Sequence, residues 1–153
     1  MARLSAGILL YRFRDGAIEV FLVHPGGPFW AKKDDGAWSI PKGEMEGQED
    51  ALTRARQEFR EETGLVAEGA FLPLGEIKQA GGKTVIAWAF QGDCDPEKIA
   101  SNTFSLEWPP RSGRRIQVPE IDRAGWFTIA DARIRMLKGQ RPFLDRLLEK
   151  AGE

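Results

Sequence analysis

The clearest helical pattern in the chain lies at residues 48–64, and the stretches on both sides are punctuated as strands. Whatever fold forms must therefore set a sheet against one central helix. Ala51, Leu52, Ala55 and Phe59 make an apolar stripe at helical spacing, Glu49 and Asp50 put negative charge in the first turn, and Gly64 is the stop. The spacing predicts a helix that starts near Gln48 or Glu49 and ends just before Gly64. Residues 4–13 and 18–24 read as strands joined by a turn at Arg14, Asp15 and Gly16. Residues 71–79 and 84–91 read as a second pair, and residues 103–108 and 114–118 as two short strands around Pro109, Pro110 and Gly113.

Between these elements, residues 25–36 hold Gly26, Gly27, Pro28 and Gly36, the composition of a long loop of the kind that covers an active site. Residues 38–43 return the chain through a short apolar segment into a glycine turn at Gly43. Near the end, Trp126, Phe127 and Thr128 lead into a helix at residues 129–137. Gly139 and Pro142 divide it from a last amphipathic helix that turns Phe143, Leu144, Leu147 and Leu148 inward. Many strands with a central helix and a helical tail give an α+β fold, an α-β-α sandwich, with residues 1–153 expected to form a single domain.

Composition excludes several functions. With 42% apolar and 29% charged residues the chain has the means to close a core. Its net charge of -1 argues against an extensive nucleic-acid surface. Cys94, the single cysteine, rules out an intrachain disulfide and a multi-cysteine zinc site. No apolar run approaches the roughly 20 residues that cross a bilayer, and the opening residues do not make a secretory signal. The expectation is a cytoplasmic monomer or homodimer with no membrane partner.

Charge is concentrated where the helix lies. Residues 43–65 hold seven acids and three arginines. Glu58, Glu61 and Glu62 are three and four residues apart, so they fall within one arc of the helix. Like charges on one face destabilise a helix unless something positive neutralises them. Arg54, one turn before Glu58, offsets part of that charge, and a hard divalent cation with oxygen ligands would offset more. The competing reading is a solvated face opposite the apolar stripe.

The same residues resemble a known signature. Gly43, five residues, Glu49, seven residues, then Gln57-Glu58-Phe59-Arg60-Glu61-Glu62-Thr63-Gly64-Leu65 is similar to the Nudix box, whose pattern is Gly, five residues, Glu, seven residues, then Arg-Glu-apolar-any-Glu-Glu-any-Gly-apolar. Only Gln57 departs, standing where the family has arginine. The likeness extends from about residue 4 to residue 148, taking in the first strand and Trp126 before the last helices. It implies a mixed β-sheet between helices, with the box as a loop–helix–loop, and hydrolysis of a nucleoside diphosphate linked to another group. It also implies Mg²⁺, with Mn²⁺ as a substitute. By the same resemblance Glu61 and Glu62 would be the main metal ligands and Glu58 a further ligand or the general base. A main-chain oxygen at Gly43 would be another ligand, and Glu49 would support the loop. Glu120, six residues before Trp126, stands where some members carry an additional acid that binds metal or activates water.

In the family the missing arginine orients the first catalytic glutamate. Glutamine brings no positive charge and cannot make a bidentate guanidinium pair, so Arg54 or Arg60 is expected to compensate, or activity to be weaker. Lys42, next to the metal turn, is expected to meet a distal phosphate; its alternative is surface neutralisation of Glu44 and Glu46. Pro41-Lys42-Gly43 resembles the lead-in of diadenosine-polyphosphate and diphosphoinositol-phosphate hydrolases, which points to a dinucleoside polyphosphate. Lys32, Lys33, Arg111, Arg114 and Arg115 are candidates for further phosphate contacts, and Phe29 and Trp30 for stacking on a base. Trp38 and Trp88 read as core, and His24 and Cys94 as structural. Two alternatives stay open: a pyrophosphatase of nucleoside triphosphates, oxidised nucleotides or nucleotide sugars, and a catalytically weak nucleotide- or RNA-binding module.

Overall fold

A computed structural model describes residues 3–45, 47, 49–99 and 101–151. In chain order its elements are β1 (Arg3–Arg14), β2 (Ala17–Pro25), β3 (Lys42–Glu44), α1 (Ala51–Thr63), β4 (Phe71–Gln79), β5 (Lys83–Gln91), β6 (Thr103–Glu107), β7 (Arg115–Pro119), β8 (Ile121–Thr128), α2 (Ile129–Arg135) and α3 (Pro142–Ala151). The main sheet runs β4-β5-β1-β2-β8, with β3 also on β1; β6 and β7 form a separate two-stranded ribbon. Only the β1–β5 pairing is parallel, so the sheet is mixed.

Strand β1 organises the rest because it is long. Its residues Ser5, Ala6 and Gly7 pair with β3, its residues Tyr11 to Arg14 pair with β2, and its other edge lies along β5. Alternation along β1 and β2 then builds two cores, one on each face. Ala6, Ile8, Leu10, Phe21 and Val23 meet Ala55 and Phe59 of α1. Leu9, Tyr11, Val20 and Leu22 meet Trp38, Met136, Phe143, Leu144 and Leu147 under α2 and α3. This is the expected α-β-α sandwich, with the acidic helix alone on its face.

Three expectations shift. Helix α1 starts at Ala51, after Asp50, whose carboxylate accepts the Thr53 amide at 3.0 Å as an N-cap. Gln48, one of the expected starts, lies outside the described residues. Residues 121–128 are an edge strand paired along β2, where the sequence shows only a lead-in to α2. Polar Asp122 and Arg123 are exposed there, so no apolar alternation marks the strand. Finally, Gly43 is not a turn. It is an extended residue of β3 opposite Ala6, and the reason for glycine is a close approach: a Cβ there would collide with the carboxyl group of Glu58.

Among the described residues no helix is long and apolar enough to cross a membrane.

Candidate active site

The helix that carries the acids is held at both ends. Asp50 caps the start; at the other end Gly64 takes a left-handed conformation (φ 79°) and its amide donates to the Arg60 carbonyl at 2.7 Å. Thr63 is fully buried and donates to the Phe59 carbonyl at 2.6 Å. With Ala55 and Phe59 anchored in the core, the rotation of α1 is fixed. Glu58 and Glu62 then face inward along β3, only 7% and 8% exposed, while Glu61 stays at the surface.

Burial without full neutralisation perturbs these carboxyls. Desolvation raises the Glu62 pKa from 4.5 to about 8, reinforced by the nearby Glu58 charge and opposed by Lys42. Glu58 is raised for the same first reason; Arg54 opposes the rise, and Glu61, which shares a hydrogen bond with it, and Glu120 add to it. Lys42 is pushed down by its own burial against the pull of Glu62. Its backbone amide also donates to the Glu62 carboxylate. Burial thus disfavours both members of the Lys42–Glu62 pair as charges, a state that a cation or a polyphosphate would relieve.

A cavity opens beside this pair. Its walls include Val23, Trp30, Ile40 and Ile121, with Ser39, Lys42, Glu62 and Glu120 as polar groups. Glu120 reaches it from the turn before β8. There the Glu120 carbonyl accepts the Gly26 amide at 3.0 Å, and its amide donates to Asn102 at 2.8 Å. The loop expected over the site covers it on one side and is held by His24. This fully buried ring contacts the Lys33 carbonyl at 2.6 Å through Nε2 and Asp122 at 2.8 Å through Nδ1. Trp38 is buried, and its indole N–H donates to Asp34 at 2.8 Å.

The structure therefore brings Lys42, Glu62, Glu120 and Trp30 together around the cavity, while Gly43 packs against Glu58 and the exposed Glu61 is hydrogen-bonded to Glu58 outside it. The other expected contacts do not line the cavity. Phe29 is 58% exposed and packs edge-on against Trp30 with the Lys33 ammonium 3.9 Å from its ring centre. Lys32 is exposed, and Arg115 sits on the β6–β7 ribbon bonded to Ser105. Phe29 fails because its neighbour takes the inward position in a tight turn. Lys42 is half-buried and meets the charge of Glu62 first and that of Glu44 after it; Glu46, the other acid it was expected to neutralise, lies outside the described residues. Sequence reasoning missed Ser39, Ile40 and Leu137 as lining residues. Ser39 and Ile40 precede the Pro41-Lys42-Gly43 segment and were open to notice; nothing local marks Leu137. Gln140 was also missed. It is fully buried, accepts the Ile40 amide at 3.1 Å and donates to Ser39 Oγ at 3.0 Å, fixing the strand segment that leads to Lys42.

Among the described residues, no three His, Cys, Asp or Glu side chains stand ready as a cation cage. The donors nonetheless suit a hard ion: carboxylates, two of which, Glu58 and Glu62, are buried, beside a strand left open by Gly43. Mg²⁺ commonly takes one or two carboxylates and completes its shell with water and substrate phosphates.

The family description "NUDIX domain" matches residues 1–147. The chain belongs to the Nudix family. It is a pyrophosphohydrolase acting on phosphorus-containing anhydrides, in a family that generally needs divalent metals such as Mg²⁺ and binds nucleotides. Comparison with curated proteins finds no match. Solved structures with the same fold include a Caenorhabditis elegans Ap4A hydrolase in a binary complex, at 19% identity and TM-score 0.67, covering 99% of this chain and 98% of that one. The Nudix domain of Shewanella oneidensis NrtR, complexed with ADP ribose, aligns at 16% identity and TM-score 0.66, covering 98% and 88%. A MutT protein from Methanosarcina mazei Go1 aligns at 17% identity and TM-score 0.63, covering 99% and 96%. These likenesses concern the fold.

Proposed function

We propose that this Nudix chain hydrolyses a dinucleoside polyphosphate or a related nucleoside-diphosphate derivative with Mg²⁺, or Mn²⁺ in its place. The observation that carries the reading is the cavity in which Lys42, Glu62 and Glu120 converge beside Trp30. A half-buried lysine in a largely apolar cavity that also holds the Trp30 ring suits a phosphate chain bearing a base. The Pro41-Lys42-Gly43 segment and the fold shared with the Ap4A hydrolase support the longer chain.

In this reading Glu61, Glu62 and the Gly43 carbonyl oxygen would hold the cation. Glu58 and Glu120 supply the remaining carboxylates, one toward the cation and one toward the proton of the attacking water. When bound, the ion would supply Lewis-acid chemistry, stabilising charge on the phosphate and making that water a better nucleophile. Lys42 binds a phosphate oxygen and Trp30 orients the base. Water oxygen bonds to phosphorus, the bridging P–O bond breaks toward the leaving phosphate, and the water's proton passes to a carboxylate. Lys32, Phe29 and Arg115 act at most on the outer parts of a long substrate. The free Cys94 suits a reducing cytoplasm, and one domain acting as a monomer or homodimer suffices for this chemistry.

The test is a product analysis across diadenosine tetraphosphate, nucleoside triphosphates and ADP-ribose, with Mg²⁺ or Mn²⁺ and after chelation. Glu61→Gln and Glu62→Gln should abolish turnover while the protein stays folded. Undiminished turnover in both variants, and after metal removal, would refute the reading. Preference for triphosphates or ADP-ribose would move the substrate to the alternative classes. A nucleotide-binding module without turnover is the second reading, favoured by Gln57, and it predicts affinity without products.

A further inference from the structure

We infer that Arg54 is the positioning residue for Glu58, holding from one turn upstream the carboxylate that Gln57 does not reach. The inference rests on the catalytic reading above, because it matters only if Glu58 serves a cation or a water.

Arg54 and Glu58 are four residues apart, and Nη2 of the guanidinium pairs with Oε1 of the carboxylate. The two side chains are 13% and 10% exposed, so the contact is shielded from solvent. The guanidinium is itself fixed. Its Nε donates to the Glu44 carbonyl at 3.0 Å, and Glu49 lies 3.8 Å from the same nitrogen. Glu44 is the residue after Gly43, whose missing Cβ leaves the space that the Glu58 carboxyl fills. One side chain thus ties α1 to β3 and aims Glu58 across the strand that would present the carbonyl ligand. A lysine has no fork with which to do both.

Gln57 looks elsewhere. It is exposed and borders surface hollows with Arg60, Glu61, Ser101 and Asn102 on one side and Thr53, Arg56 and Val66 on the other. An arginine at position 57 would start from that outer surface, where the Arg54–Glu58 contact is already made.

Arg54→Met, Arg54→Lys, Gln57→Arg and the double variant Arg54→Met/Gln57→Arg separate these roles. Two readouts are needed: Mn²⁺ affinity of the nucleotide-free protein, and kcat and KM with a dinucleoside polyphosphate. Arg54→Met keeps the aliphatic stem and should lose about 10- to 100-fold in Mn²⁺ affinity or kcat, the usual cost of removing a group that orients a ligand. KM for the nucleotide should move little. Arg54→Lys should also lose Mn²⁺ affinity while remaining folded; if Arg54→Met does not fold, this variant decides. Gln57→Arg should change neither readout by more than about twofold and should not restore Arg54→Met. Wild-type Mn²⁺ affinity and kcat in Arg54→Met, full function in Arg54→Lys, or rescue by Gln57→Arg would each overturn the inference. Absence of products from the wild type would instead sink the catalytic reading, while the Mn²⁺ affinities would still test Arg54.

Discussion

Replacing Glu62 by glutamine should remove activity and yet stabilise the metal-free protein, increasingly so as the pH rises. Glu62 is 8% exposed, and its pKa is raised from 4.5 to about 8, first by burial and then by Glu58. A carboxyl raised on folding binds more protons in the folded state than in the unfolded one between those two values. Stability therefore falls as pH climbs from about 4.5 toward 8, and levels off above. At 1.36 kcal/mol per pH unit the gap from 4.5 to about 8 costs about 5 kcal/mol above pH 8, about 3 kcal/mol near pH 7 and under about 1 kcal/mol near pH 5. Glutamine keeps the shape and cannot ionise, but it leaves Lys42 without its main counter-charge, which takes back part of the gain. A net stabilisation of about 2 kcal/mol by pH 8 follows, or about 4–8 °C in Tm for a chain of this size. The assay is thermal melting of wild type and Glu62→Gln in chelator from pH 5.5 to 9, with a parallel series in Mg²⁺. The two Tm curves should diverge with pH in chelator and draw together when Mg²⁺ stabilises only the wild type. A Glu62→Gln protein destabilised equally at every pH would refute the reasoning, because burial of charge would then not be the term that governs this position.

Trp30→Ala should raise KM for a nucleotide by about tenfold, the size of a lost aromatic stacking contact, whereas Phe29→Ala should stay within about twofold; the reverse order would place the base on the outer ring. Gly26→Ala should lower stability by about 1–3 kcal/mol, read as a fall in Tm, because a new Cβ would run into the backbone carbonyl of Pro119. An unchanged Tm would show that the junction between β2 and the turn after β7 gives way freely. The Cys94 thiol, pushed up to about 11 by burial and then by Asp93, should react with a disulfide reagent at pH 8 at least about tenfold slower in the folded than in the unfolded protein. Equal rates would contradict that environment.

Much of the architecture was legible because it is local. Strands β1, β2, β4 and β5 announce themselves by apolar or β-branched runs and glycine punctuation, and α1 by its stripe, its acidic start and Gly64. The edge strand β8 was illegible: with Asp122 and Arg123 in solvent it carries no alternation, and only pairing with β2 makes it a strand. The aromatic loop was half legible. Composition marks Phe29 and Trp30 equally, and the turn decides that Trp30 lines the cavity while Phe29 stays outside.

The sequence by itself determined the arc of Glu58, Glu61 and Glu62, the family to which it belongs, and the need for something positive beside that arc. A helix repeats every 3.6 residues, so spacing alone decides which side chains share a face. Tertiary structure alone decided that Gly43 is a point of close approach to Glu58, that Lys42 lies against Glu62, and that Glu120 lines the same cavity. Those relations join residues far apart along the chain. They are set by which strands pair and in what register, and by how a helix seats on the sheet, and no local period records either one.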